Sequence, residues 1–439
     1  MKSTSDNEHF TQRLNRSPMW VFYTLATLVL WQGIVSVLGG VRYLRYVQDE
    51  LAKSPNGYAP FVSIIVPCRG VDQELGENLT PLWEQDYKSY ELIFVFDNES
   101  DPALDVVREL QARFDNNEVP ASRILIAGQA SGCGQKVHNL TVGVGAANER
   151  SDVLVFVDTD ARPHAGWLRS LVAPLADDAV GATTGYRWFV PARGGAASHL
   201  RSVWNASIAS ALGGNRRGNF CWGGSTAIRR STFQELNVLE AWRGALSDDF
   251  ALTNTLQRAQ RGIHFVPRCL VISNEDCTFQ QLLEFTTRQM KITRVYAPRL
   301  WQIVLWSNLF FGFMFFGGIL LVAARSLGGL SYAVPLSLLL AMFALGATKA
   351  GLRLRAVNLS LGVYRQPSTA NAVAILAHLC LWPFASTLYL VNALASLFSR
   401  RIEWRGILYE LKSERETAII SRVENRSSER ENERAPDAS

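Results

Sequence analysis

Four long apolar runs constrain this chain more than any other feature. Met19 to Gly40 (MWVFYTLATLVLWQGIVSVLGG) carries no charge, and about 22 such residues cross a hydrocarbon core of roughly 30 Å. Trp301 to Ala324, Leu330 to Thr348 and Ala370 to Phe398 are similarly apolar, each with about 18 or more largely uncharged residues. A signal peptide has a shorter apolar stretch and a small-residue cleavage site. The first run instead continues into VRYLRYVQDELAK and reads as an uncleaved anchor. Core helices of a soluble protein are the weaker alternative. The expectation is a multi-pass integral membrane protein.

The 48% hydrophobic content averages over four unlike parts. Residues 1–57 hold the anchor at about 19–40, and residues 58–300 form a mixed stretch ending in an interfacial helix. Residues 301–398 hold the later apolar segments (about 301–324, 330–348 and 370–398), and 399–439 form a charged tail. From Leu411 the tail's composition reads as disordered. The net charge of +5 is mild, and no basic stripe interleaved with aromatics points to nucleic acid. Six scattered cysteines, with no C-x-x-C pair, suit reduced thiols and argue against a zinc site.

Within 58–300, short apolar runs alternate with helical patterns. FVSIIVP (61–67), YELIFVFD (90–97), SRILIAG (122–128) and SDVLVFVDTD (151–160) read as strands. PALDVVRELQARF (102–114) and QKVHNLTVGVGAA read as helices. Such alternation implies βαβ units around a mostly parallel sheet, an α/β fold whose ligands lie outside the strands' carboxyl ends. Asp97, Asp158 and Asp160 all stand at such ends.

Carboxylates are costly to bury, so a strand that delivers two to its own tip needs a reason. A lone D-x-D also occurs where a strand simply ends in polar turn residues. A nucleotide-diphosphate sugar supplies a functional reason. Asp97 is placed to accept from a uracil N–H, one acid of D-x-D to hold the ribose, the other to coordinate a divalent cation. Mg²⁺ takes only one or two protein carboxylates and completes its shell with phosphate and water. GALSDDFALT (244–253) adds Asp248 and Asp249, either helix-start acids favoured by the dipole or a general base for an acceptor hydroxyl. TTRQMKITR puts Arg288 and Lys291 three apart, a pyrophosphate-holding pair or an interfacial cationic face. In FCWGGSTAIRR, Trp222 is suited to stacking on a sugar and Gly223 and Gly224 to close backbone approach; a plain glycine turn is equally consistent. His138 and His164 read as structural.

In family order, VSIIVPCRGVD, NLTPLWEQDY, DNESDPALDVV, GQKVHNL, SDDFAL and RQMKI together resemble the processive-type glycosyltransferases of family 2, most closely the ceramide glucosyltransferase branch, family 21. The resemblance implies a GT-A fold and an inverting mechanism with Mg²⁺ or Mn²⁺. It places Pro67, Arg69, Asp97, Lys136 and Asp158 at the nucleotide sugar, and Asp160 at the metal. Asp249 would be the general base, with Asp248 where the family usually has glutamate. Arg288 and Lys291 would stand for the first and fourth residues of R-x-x-R-W. Lys291 departs from the arginine, and Ile292 from the tryptophan; lysine still binds phosphate as a point charge, but an aromatic platform is lost. Trp222, Gly223 and Gly224, together with Asp248, would form the acceptor loop.

The partners implied are a UDP-sugar donor, UDP-glucose first, and a membrane lipid acceptor, ceramide first and diacylglycerol next. A polysaccharide synthase or a non-catalytic binding protein fits less well. Lys349, Arg353, Arg355 and Arg365 cluster between the last two apolar segments, against Arg325 alone between the preceding two. By the positive-inside rule this places them, and the catalytic domain, in the cytosol. Four full spans would then put the tail outside, whereas Arg400, Arg401 and Arg405 argue for inside. Pro383 makes the last run a candidate for re-entry.

Overall fold

The structure is a computed structural model that describes residues 19–54, 56–72, 74–114, 120–362 and 372–422. Helix α1 (Met19–Ala52) outruns its apolar stretch and carries Tyr43, Leu44 and Val47 into the main hydrophobic core. Strands β1 (Val62–Pro67), β2 (Tyr90–Phe96), β3 (Ala121–Ile126) and β4 (Val153–Phe156) follow, with helices α2 (Leu75–Leu79), α3 (Ala103–Phe114) and α4 (Gln135–Ala146) between them. β1, β2 and β4 are buried along almost their whole length, which is why they read as continuous apolar runs without alternation.

The second half of the domain comprises α5 (Trp167–Val172), β5 (Val180–Val190), α6 (Ala196–Ala209) and β6 (Thr226–Arg229), then α7 (Arg230–Glu235), α8 (Val238–Trp242), α9 (Asp248–Arg258) and β7 (Gly262–Asn274). All seven strands form one sheet in the order β3-β2-β1-β4-β6-β5-β7. Its pairs are parallel except those of β6, which is antiparallel to both β4 and β5. This is the mixed α/β, GT-A-type class expected. The winding direction switches between β1 and β4, the place where an open α/β sheet leaves a crevice at its carboxyl edge.

Helix α10 (Phe279–Tyr296) opens with a capping box: Thr278 Oγ1 accepts from the Gln281 N–H, and Gln281 Oε1 accepts from the Thr278 N–H. Only Ala297 separates it from α11 (Pro298–Leu327), which is followed by α12 (Ala333–Gly362), α13 (Ala372–Cys380) and α14 (Trp382–Phe398). α1, α11 and α12 are long and apolar enough to cross a membrane, with α13 and α14 a further span if the two, bent by 59°, count as one. The bend falls where Pro383 starts the second helix, since proline has no N–H to continue the ladder from α13. Trp31, Trp306, Phe313 and Leu320 point outward and are largely exposed, the arrangement a lipid surround requires. Arg365 lies outside the described residues.

The tail differs from expectation. Residues 401–422 are not a disordered extension but a three-stranded antiparallel sheet of β8 (Arg401–Trp404), β9 (Ile407–Ser413) and β10 (Glu416–Arg422); residues 423–439 lie outside the described residues. Ile402, Ile407, Tyr409 and Leu411 alternate inward and are buried against Leu246, Ile292 and Tyr296. Charged residues at the outward positions hide that period of two. Trp404 pairs with Ile407 across Arg405 (φ 50°) and Gly406 (φ 71°), a two-residue hairpin with left-handed backbone at both positions.

Candidate active site

A cleft of about 490 Å³ opens at the carboxyl edge of β1 and β4, walled by α10 on one side and by the β8–β9 hairpin on another. β4 delivers Asp158 and Asp160 to its floor, and the start of α4 delivers Lys136. Lys136 Nζ lies 2.7 Å from Asp158 Oδ1 and 3.1 Å from Asp248 Oδ1. Burial works to depress the ammonium, but Asp158, Asp248 and Asp249 outweigh it and hold the pKa above its ordinary value. Gly223 makes this contact possible. A Cβ there would lie 2.5 Å from Lys136 Nζ and 2.7 Å from Asp248 Oδ2, so its close backbone approach is to this ion pair.

The acids at the head of α9 have different surroundings. Asp248 is 4% exposed. Burial pushes its carboxyl up, to about 6, with Asp249 and Asp158 adding to the rise and Lys136 opposing it. Asp249 accepts from Ser247 Oγ and, at 2.8 Å, from the Phe250 N–H; both contacts fall on Oδ1.

Asp160 Oδ2 is paired with Arg187 Nη1 at 2.6 Å. Burial acts to raise its pKa, but Arg187 and Arg405 draw it below the usual range. Its other oxygen, Oδ1, is buried with no hydrogen-bond partner among the described residues. Among the described residues no cluster of three or more His, Cys, Asp or Glu could hold a metal ion. One unsatisfied carboxylate oxygen on a cleft wall nonetheless fits a divalent cation that draws its other ligands from phosphate and water.

Several residues anticipated from sequence lie elsewhere. Asp97 is 2% exposed, ion-paired with Arg69 and accepting from Asn98 Nδ2 at 2.9 Å; Pro67 and Arg69, rather than Asp97, line the cleft. Arg288 lines it too, its guanidinium 5.6 Å from the Phe285 ring and 5.7 Å from that of Trp404. Burial and the neighbouring Arg187 and Arg405 lower its pKa to about 10. Lys291 turns away and donates to the Arg401 carbonyl at 2.6 Å, and Ile292 packs under the hairpin. The pair read as one cationic face is therefore split, because the hairpin covers the side that Lys291 occupies. Trp222 is buried, 5.6 Å from Tyr186 and 5.5 Å from the Arg187 guanidinium, and its indole folds over Gly224. His138 and His164 bond the Ala127 and Arg268 carbonyls, as structural histidines do.

Sequence reasoning passed over Arg187, Arg201, Trp404 and Arg405, all of which line the cleft. Arg187 had a readable signal, a lone cation inside the apolar strand VGATTGYRWFV. Arg201 is ion-paired with Glu275 at 3.2 Å. Arg405 reaches Asp72 at 2.7 Å, and it and Arg69 bond each other's carbonyls. Nothing near Arg405 in sequence announces that role. With Lys136, Arg69 and Arg288, these arginines set six cations around one cleft that Asp72, Asp158, Asp160, Glu275, Asp276 and Glu284 also line, so the charge there is mixed, with Arg288 free of any ion pair among the described residues.

The model of the family described as Glycosyl transferase family 21 matches residues 23–417. Ceramide glucosyltransferase 1 of Caenorhabditis elegans is 28% identical over 208 residues, covering 46% of this chain and 43% of that protein. Ceramide glucosyltransferase 3 of the same organism is 30% identical over 98 residues, covering 22% and 20%. The matches span less than half the length of these curated relatives. Among solved structures, mannosyltransferase PcManGT from Pyrobaculum calidifontis, in complex with GDP-Man and Mn2+, is similar at TM-score 0.45 and 17% identity, over 86% of this chain and 99% of that one. Glucosyl-3-phosphoglycerate synthase from Mycobacterium tuberculosis, with Mn2+ and UDP-glucose, gives 0.35 and 16%, over 57% and 82%. With the family model spanning the α/β domain, the apolar helices and most of the hairpin, this chain belongs to glycosyl transferase family 21.

Proposed function

We propose that this protein is a membrane-bound inverting glycosyltransferase that moves glucose from UDP-glucose to the hydroxyl of a membrane lipid, ceramide first. The observation that carries the reading is continuity. The cleft-lining helix α10 passes through a single residue into the membrane-type helix α11, so the cations and carboxylates stand where a lipid hydroxyl would arrive.

In this reading the nucleobase lies against Pro67 and Arg69, with the Asp97 carboxylate behind Arg69, and Asp158 holds the ribose. Asp160 would hold Mg²⁺ or Mn²⁺, which when bound supplies Lewis-acid neutralisation of the diphosphate. Arg288, Arg187 and Arg405 would share the charge of the departing UDP, and Lys136 would fix Asp158 and Asp248. Lys291 would serve by anchoring the hairpin beside them. Asp249, whose Oδ1 is held by Ser247 and the Phe250 N–H, would take the proton from the acceptor hydroxyl as that oxygen attacks the anomeric carbon. Trp222 and Gly223 would back the acceptor side. The cations towards the end of α12 support a cytosolic catalytic domain, on the side where the donor would be.

The test is the purified full-length protein in detergent with radiolabelled UDP-glucose and Mg²⁺ or Mn²⁺, offered ceramide and diacylglycerol in parallel. Glucosylceramide is the expected product. A product from diacylglycerol alone would move the acceptor assignment, and donor binding without product from either lipid would sink the reading.

A further inference from the structure

A second, smaller cavity of about 130 Å³ lies where α1, α12 and the end of α6 meet, lined by Ser36, Gly40, Tyr43, Ser210, Lys349 and Arg353. Two cations face it and no acid does. Arg353 is only 5% exposed, and its Nε has no hydrogen-bond partner among the described residues. Neither it nor Lys349 has an ion pair among the described residues. Two other guanidinium groups with little exposure are ion-paired, Arg187 with Asp160 and Arg201 with Glu275. A buried cation is costly unless an anion meets it, so an unpaired pair of cations facing one cavity marks a place for a ligand.

The position narrows the choice of anion. The apolar run of α1 ends at Gly40, and that of α12 ends at Thr348, immediately before Lys349. Three residues beyond Gly40, Tyr43 already belongs to the core of the α/β domain. Ser210, just past the end of α6, comes from that domain. The cavity therefore sits at the level where the spans meet the domain, the depth of lipid headgroups, and basic pockets between helices at that depth bind phosphate-bearing heads. Its volume is about a quarter of the cleft's, a fit for one phosphate group rather than a nucleotide.

We infer that this pocket binds the phosphate of an anionic phospholipid in the leaflet facing the α/β domain, with Arg353 and Lys349 as its cationic contacts. The guanidinium offers a planar fork to two phosphate oxygens and the ammonium a point charge to a third. The hydroxyls of Ser36 and Tyr43 supply donors to the remainder. Bound there, the lipid would tie α1 to α12 beneath the domain. The inference rests on the chain's membrane location and is independent of which sugar or acceptor the cleft takes.

The experiment uses the full-length protein, stripped of lipid in a neutral maltoside detergent. Phosphatidic acid, phosphatidylcholine or inorganic phosphate is added at matched concentration, and melting temperature and native mass are read. Ligands that bind only the folded state raise its melting temperature. Phosphatidic acid should raise it by several degrees and leave one lipid retained per chain, with little effect from the other two. Arg353→Gln should lose both effects. If that variant does not fold, Lys349→Gln, at the same cavity, should weaken retention at least tenfold. An equal rise with inorganic phosphate would overturn the lipid assignment. Equal retention of phosphatidylcholine, or full retention of phosphatidic acid by Lys349→Gln, would overturn the site itself. The melting shift given by UDP-glucose with Mn²⁺ in the same samples reports the cleft separately.

Discussion

Lys136 divides the work between two adjacent acids that the sequence shows only as a pair. Its ammonium is committed to Asp158 and Asp248, while the side-chain hydrogen bonds of Asp249 among the described residues both fall on Oδ1. Asp249→Asn should therefore retain donor affinity while transfer falls by about 10²–10⁴-fold, the span of a lost general base; donor titration alongside single-turnover transfer would show it. Asp248 titrates near 6, so its pairing with Lys136 holds above that pH and dissolves below it. The value of kcat/KM should drop as pH falls through about 6. Asp248→Asn should flatten that limb, leaving at neutral pH a rate close to the wild type's acid-side rate. Asp160→Asn should abolish the metal-dependent part of UDP-glucose binding, measured by calorimetry with and without Mn²⁺. At this scale the sequence was legible where a charge stood at the end of an apolar strand, as at Asp158 and Asp160. It was opaque where the partner came from far along the chain. Nothing adjacent to Arg69 says that Arg405, 336 residues later, shares its carbonyl contacts.

At the scale of elements, the β8–β9 hairpin changes the most. The family pattern puts an aromatic after the basic pair on α10. Here Ile292 holds that place and is buried, while an aromatic ring, Trp404, reaches Arg288 from the hairpin. The hairpin is thus a wall of the cleft, as Arg405 and Tyr409 also attest. Trp404→Ala and Arg405→Ala should each raise the donor KM about tenfold, a loss of about 1.4 kcal/mol, with far less effect on melting temperature. Gly244 offers a test that leaves the cleft residues alone. Its φ is +75°, and a Cβ there would collide with the backbone carbonyl of Arg415. Gly244→Val should loosen the sheet at its far end, expose residues 400–422 to protease, and raise the donor KM in parallel. The strands of the α/β domain were legible because burial on both faces writes an unbroken apolar run. The hairpin was not, because one exposed face interleaves charges with Ile402, Trp404, Ile407, Tyr409 and Leu411, and charge content alone reads as disorder.

The whole molecule does not separate where its hydropathy does. Composition suggests an anchor at about residues 19–40 and a separate domain over 58–300. The main core nevertheless includes Leu44 and Val47 from α1 and Leu354, Val357 and Leu361 from α12, packed with strands β1, β2, β4 and β7. Five such side chains contribute about 1.5–3 kcal/mol each when buried, and a domain's net stability is a small difference between large opposing terms, so their loss matters. The apolar runs were legible as spans because their length matches a bilayer. Their polar-flanked extensions were not legible as core, since Tyr43, Leu44 and Val47 sit among charges in VRYLRYVQDELAK. Residues 58–300 expressed alone should therefore lack a cooperative thermal transition and should aggregate, with surfaces of Phe265, Val266 and Leu270 uncovered. Co-expression with residues 1–57 and 301–422 as separate membrane fragments should restore both the transition and UDP-glucose binding. A sharp melt and full donor affinity in the isolated domain would show that the span ends merely rest against it. The catalytic edge would then owe its place at the membrane to the α10–α11 junction alone.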